Sequence, residues 1–433
     1  MNEVVIGITI IVLLLLLFLT GFELAFAMGL MGFIGYAMLV SLKGAMNILA
    51  KDFLQTFMSY GFTVIPLFVL MGQIAFNAGI AKRLYDSAHR FMGHIPGGLG
   101  LATVAGVTIF KALCGSSVAT VATFASVAVP EMDAYSYSKK LSTGIVAVAG
   151  TLGILLPPSV VLIIFGMITE QSIGRLFLAG FFPGLLLACL FAAVIVGWCK
   201  IDPAAGPKSS RFTWKERIDS LPEVAWPLAI FVIMIGGLMG GIFTPTEAGS
   251  VGALAVLIYT FIRRDLNVKG FMQSIVESLR TSCMVIMLIA GSTVLGHCIA
   301  VTNIPAITAA WVVNLPVQRH LIMIAIALVY LLGGSFIDDL AFMILATPIF
   351  FPVIIKLGYD PIWAAIMICL TVMIGSVIPP VAVNVFIVKN ITKVPMGTIY
   401  AGVYPFLISL VILVVLLFIF PQLALFLPNA LMK

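Results

Sequence analysis

The sequence predicts an all-α polytopic membrane protein made as an inverted repeat. Each half holds about five transmembrane helices, including one Pro-Pro-broken helix, together with one re-entrant hairpin. Three observations carry this. The 433 residues are 62% hydrophobic and 9% charged, against about 25% charged for a soluble domain. Apolar runs of membrane-crossing length recur along the whole chain. A glycine and proline motif also returns at an offset of 222: GILLPPS at 153–159 becomes GSVIPPV at 375–381. The same offset carries Pro130 onto Pro352, Gly180 onto Gly402 and Pro183 onto Pro405. Helix interiors avoid such residues, and their recurrence in matching apolar segments points to a site built from interrupted helices.

In chain order, runs near 4–20, 23–41, 59–80, 140–168 and 175–199 predict the spans of a first repeat, 1–199. The run at 4–20 follows Glu3 rather than a basic stretch and lacks a small-residue cleavage site, so it reads as a retained span. A polar stretch from Lys200 to Glu223 marks a cytoplasmic linker, 200–225. The second repeat, 226–433, has runs near 226–242, 247–262, 277–300, 361–391 and 398–425. A duplicated unit with an odd number of crossings enters the membrane from opposite sides in its two copies. Loop charge agrees, with Lys82, Arg83, Arg90, Lys139, Lys140, Lys200, Lys208, Arg211, Lys215, Arg217, Arg263, Arg264, Lys269, Arg280, Lys389 and Lys393 falling on one side. The other side keeps Lys43, Lys51, Arg175, Arg319, Lys356 and Lys433. The positive-inside rule then puts both termini outside. Lys111 counts on neither side.

Segments 97–130 and 321–352 each allow two half-crossings and carry a small polar cluster midway, CGSSVAT at 114–120 and GGSFIDD at 333–339. They predict re-entrant hairpins; two full helices joined by a turn are the competing reading. Irregular backbone at membrane depth is tolerated only inside protein or beside a watery cavity, so each tip marks a cavity.

Pro157 and Pro158, like Pro379 and Pro380, remove N–H donors and leave carbonyls about one turn earlier without partners. Such oxygens suit a hard cation. The carbonyls of Thr151 and Gly153 with Gly115, Ser116 and Ser117 form one candidate sodium cage; Gly334, Ser335, Asp338, Gly375 and Ser376 form the other. Beyond each Pro pair a helix restarts, and its N-terminus favours an anion such as a carboxylate. Ser159 and Asn384 stand beside those restarts, as substrate contacts or as plain capping and interhelical bonds. Asp338 and Asp339 are adjacent acids in an apolar stretch, where a cation ligand or proton carrier is expected, or a helix cap for one of them. Thr244 and Glu247 have the spacing of a capping box, as do Thr20 and Glu23. The six cysteines lie in or beside apolar runs without paired spacing and read as packing residues. The four histidines form no metal spacing, and His297 reads as a core residue.

Five stretches carry a family resemblance: GSSVATVATFASVAVPEM, GTLGILLPPSVVLIIFGMITEQSIGRLFLAGFFPGLLLA, GGIFTPTEAGSVGAL, FIDDLAFMILATPIFFPVI and IPPVAVNVFIVKNI. In this order they resemble the large membrane (DctM-type) subunit of tripartite ATP-independent periplasmic (TRAP) transporters, across nearly the whole chain. The resemblance implies an elevator-type ion transporter fold and sodium-coupled import of an organic acid. It implies two partners, a small four-helix membrane subunit and a periplasmic substrate-binding protein, and a bacterial inner-membrane location. It also assigns the two hairpin tips to two symmetric sodium sites. One position departs: Met373 stands where many relatives carry an acid, which leaves the number of coupled ions open.

No phosphate loop and no protease zinc motif occurs in the sequence, and no nucleophile, histidine and acid can be grouped, so neither ATP use nor enzymatic chemistry is expected of this chain. The basic residues sit in loops between spans rather than along one face, which argues for lipid orientation and against nucleic acid. A stand-alone anion carrier or cation/proton antiporter of similar architecture, without a binding protein, is the alternative function.

Overall fold

In the computed structural model, which describes residues 3–313 and 316–432, the chain is helical and has no strand among those residues. The first half opens with α1 (Glu3–Leu19), α2 (Leu24–Leu39), α3 (Leu42–Met58), α4 (Val64–Asn77) and α5 (Ile80–Met92). A hairpin of α6 (Gly98–Phe110) and α7 (Ser117–Ala134) follows. The first broken helix comprises α8 (Lys139–Ala149), α9 (Leu152–Leu155) and α10 (Val160–Ile168), and α11 (Ile173–Ile201) closes the half. The second half runs through α12 (Trp214–Met239), α13 (Pro245–Ile262), α14 (Val268–Val301) and α15 (Ile304–Val313). Its hairpin is α16 (Arg319–Phe336) and α17 (Asp339–Lys356); its broken helix is α18 (Pro361–Gly375) and α19 (Val383–Thr392). α20 (Met396–Ile419) and α21 (Gln422–Leu431) complete the described chain. Among the described residues nine helical segments are long and apolar enough to cross a membrane.

Hairpin, broken helix and long closing helix thus follow one another in both halves. Each Pro pair interrupts its helix, and Pro157–Pro158 and Pro379–Pro380 are both cis. In an apolar 18-residue stretch of the first broken segment, Lys139–Ile168, 89% of the residues are buried, against 33% in one of α12, so the interruption faces protein and not lipid. This is where freed backbone groups can be tolerated. With 13 residues, α6 spans about 20 Å, short of the roughly 30 Å hydrocarbon layer. The arms of the second hairpin are longer, at 18 residues each.

The helices gather into two bodies. In one, α2 lies along α14, α4 packs on α13 and α14, and α1 and α3 flank α2. In the other, α7 and α20 pack on α8, α16 packs on α18, and α11 meets α21. α4 touches α10 and α14 touches α17, so the bodies meet at the hairpins and breaks. On the linker side Arg83 pairs with Glu223 at 3.1 Å and Asp265 at 2.9 Å, and Arg263 pairs with Glu223 at 2.6 Å.

Several sequence expectations change. α3 and α5 escape a ruler for apolar runs because each is amphipathic, with Lys43, Lys51 and Asp52 on α3 and Lys82, Arg83, Asp86 and Arg90 on α5. The polar stretch is partly helical, since α12 begins at Trp214. The run at 398–425 divides into α20 and α21. Thr244 and Glu247 form the capping box, but Thr20 and Glu23 do not: Thr20 Oγ1 donates to Leu17 O, and Glu23 caps α2 without a side-chain bond. Cys189 and Cys283 are exposed rather than packed. His297 is no core residue either; its half-exposed ring puts Nδ1 2.7 Å from buried Asp52 and ties α14 to α3. Lys433 lies outside the described residues.

Candidate functional site

Both hairpins break where small polar residues stand, and each break is pressed against the broken helix of its own half. At the first tip, Ser116 caps α7 by accepting from Ala119 N. A side chain at Gly115 would come 3.1 Å from Pro158 O, so that tip rests on the first Pro-Pro break. At the second tip, Asp338 caps α17, accepting from Leu340 N at 3.2 Å, and Asp339 accepts from the same N–H at 3.0 Å. A side chain at Gly375 would run into the backbone of Gly334 and Ser335, which is why glycine stands there. The chain turns after Pro380 through Ala382, whose φ of 51° is left-handed, and Val381 N and Ala382 N both donate to Ser335 O. Those bonds offset a strain of about 1–3 kcal/mol.

The two tips face one cavity of about 370 Å³. Gly115 to Ala119, Val160, Val161 and Asp338 to Leu340 line it from the hairpin body, and Gln73, Glu277, Thr281 and Met284 line it from α4 and α14. The N-terminal turns of α7, α10 and α17 therefore converge on it. A volume near the lower end of ordinary ligand pockets suits a small molecule. A second cavity, of about 590 Å³, lies at the C-terminal end of α10 and the middle of α17, beside Met167, Ile168, His297, Asn303 and Pro348.

Of the residues singled out from sequence, Gly115, Ser116, Ser117, Asp338 and Asp339 meet at the cavity. The others stand behind it. Thr151 is fully buried and donates to Val148 O, and Ser376 donates to Met373 O. Ser335 donates to Leu332 O while its own carbonyl is taken by the second break. Ser159 caps α10 through Leu162 N. Asn384 donates Nδ2 to Ala147 O and to Ser376 Oγ, joining the two broken helices. Pro157, Pro158, Pro379 and Pro380 form the interruptions themselves.

Two groups at the site are given no role by the sequence reading. Glu277 of α14 reaches the cavity from a helix whose polar residues look like an ordinary helix face. Lys111, at the end of α6, has no exposed surface, and its ammonium donates to Ser116 O at 2.7 Å. A methyl built on Gly153 would collide with that ammonium. A lone lysine in the apolar run GVTIFKALCG was the available signal. No group of three or more His, Cys, Asp or Glu residues among those described could hold a metal ion.

Paired hairpins and Pro-broken helices around one cavity, among helices of membrane-crossing length, make this a multi-pass membrane transporter rather than an enzyme. The YdaH transporter of Alcanivorax borkumensis shares the fold, with a TM-score of 0.57 at 14% identity over 88% of this chain and 89% of that one. The chain belongs to the family described as "Tripartite ATP-independent periplasmic transporter, DctM component", which it matches over residues 11–423. It is 35% identical over 382 residues to a C4-dicarboxylate TRAP transporter large permease protein of Pseudomonas aeruginosa, covering 88% of this chain and 89% of that protein. It is 33% identical over 387 residues to a sialic acid TRAP transporter large permease protein of Vibrio cholerae, covering 88% and 90%.

Proposed function

We propose that this chain is the sodium-coupled membrane permease of a tripartite importer for an organic acid. In this reading a periplasmic binding protein captures the substrate and a small four-helix membrane subunit enlarges the scaffold. The convergence of the α7 and α10 N-termini on one cavity carries the proposal, because their N–H groups and helix dipoles favour a carboxylate or sulfonate, while the acids at the start of α17 leave that side to a cation. The relatives named for a C4-dicarboxylate and for sialic acid, both organic acids, support the substrate class.

Sodium is the coupling ion in this reading. Asp338 and Asp339 stand side by side at the second tip, where two ionised carboxylates would repel each other. A cation bound among their oxygens relieves that repulsion, and Gly334, Ser335, Gly375 and Ser376 shape the backbone around it. The halves are related as an inverted repeat with both termini periplasmic, in the bacterial inner membrane. The body holding the hairpins and breaks slides as an elevator against the α2–α4 and α13–α14 body, and the two cavities belong to opposite ends of that stroke.

The test is uptake of a labelled organic acid into proteoliposomes holding both membrane subunits, with purified binding protein outside. Uptake should require the binding protein and an inward sodium gradient. Equal uptake by this chain alone, driven by a proton gradient, would sink the reading in favour of a stand-alone carrier.

A further inference from the structure

We infer that the ammonium of Lys111 is a built-in cation that takes the place of a sodium ion at the first hairpin tip, so that only the second tip is open to a free ion. The inference rests on the proposed sodium coupling and narrows it. Three observations carry it. The ammonium donates to the carbonyl of Ser116, the residue that caps the second arm of the hairpin, at 2.7 Å. It lies against Gly153 of the first broken helix, on the spot where any side chain on that residue would fall. It also has no solvent exposure, so it is held between hairpin and break rather than pointing to water.

A monovalent cation in a carbonyl-lined niche and a protonated amine there do the same electrostatic work, since both place one positive charge among main-chain dipoles. They cannot do it together. Ser116 O already receives Lys111 Nζ, Thr120 Oγ1 at 2.8 Å and Thr120 N at 3.2 Å, which leaves no room on it for an ion. The charged or titratable groups that face the ammonium are Cys114 beside it and Asp339 from the second tip. The second tip has no equivalent: four residues before Gly334, as Lys111 is before Gly115, stands Tyr330, which is buried and neutral. The tips of the two repeats are thus chemically unequal. The first carries its charge on the chain, and that charge travels with the hairpin in both directions of the stroke.

Sodium binding tests this directly. Equilibrium dialysis with radioactive sodium counts ions per purified chain in complex with its small subunit, in wild type and in Lys111→Ser. The wild type should bind no more than one sodium per chain, and Lys111→Ser one more than wild type. A sodium-dependent rise in melting temperature, measured against choline, should grow in the variant. Two sodium ions on the wild type would overturn the inference, as would a folded Lys111→Ser with an unchanged count. Should Lys111→Ser not fold, the wild-type count decides alone. A wild type that binds no sodium, beside a variant that binds one, would defeat the sodium reading of the second tip while upholding the role of Lys111.

Discussion

Asn384 shows how much rests on single polar side chains inside this membrane protein. One amide group reaches Ala147 O in the first broken helix and Ser376 Oγ in the second, at 3.3 Å each, with 2% of the residue exposed. Removing it leaves a buried carbonyl and hydroxyl short of a donor, which costs about 1–3 kcal/mol. Asn384→Ala should therefore lower the melting temperature of the purified protein, and Asn384→Asp should not restore it, because a carboxylate brings no donor to Ala147 O. An Asn384→Ala protein as stable as the wild type would show that the link carries no weight. Asn384 could be read from sequence as an interesting position, since it follows a Pro pair. Its partners could not, because Ala147 is 237 residues away and only the packing of α8 on α19 brings it near.

At the scale of elements, the amphipathic helix α5 is where the linker docks. α5 buries Leu84, Tyr85, Ala88 and His89 and leaves Lys82 exposed. His89 bonds Ser209 Oγ at 2.9 Å, between the rings of Tyr135 and Phe212, which docks the linker onto the helix. Burial holds the His89 imidazole below its ordinary value of 6.5, although Glu131 and Asp86 pull the other way. With its folded pKa depressed, the unfolded or undocked state takes up the proton first as pH falls. The docking energy is thus fully present above the ordinary imidazole value and is lost as pH falls through it to the folded value. Amide hydrogen exchange around Ser209 should quicken as pH is lowered through about 6.5 once intrinsic rates are divided out, and His89→Gln should flatten that response. A protection profile indifferent to pH would remove His89 from linker docking. Both amphipathic helices were hidden from the apolar-run ruler for one reason: their polar faces lower the average hydropathy although one face is packed.

For the whole molecule, the functional question is whether two bodies move past each other. Val118 on the first hairpin and Met284 on α14 line the same cavity from opposite bodies, and both are exposed, at 42% and 54%. Cysteines at these two positions, in a background lacking exposed Cys189 and Cys283, can be joined by a flexible bifunctional maleimide. If the hairpin body slides, uptake should fall to background in the cross-linked protein and return with a cleavable linker after cleavage. Full cross-linking with undiminished uptake would rule the sliding out. This experiment stands apart from the ion count at Lys111, since a fixed carrier and a moving one can hold the same number of sodium ions.

The sequence by itself determined the membrane class, the duplicated order of hairpin and broken helix, and the family. Composition and the spacing of glycine and proline act locally: they decide where a helix starts, breaks and restarts, whatever surrounds it. Only the tertiary structure decided which polar groups share a space. It brought both tips to one cavity with Glu277, set Ser159 and Asn384 behind that cavity as cap and tie, and paired Asp52 with His297. It also put the Lys111 ammonium where the first cage was expected. Those outcomes depend on helices far apart in the chain packing face to face, and a lysine's meaning changes from surface charge to internal cation once its neighbours close over it.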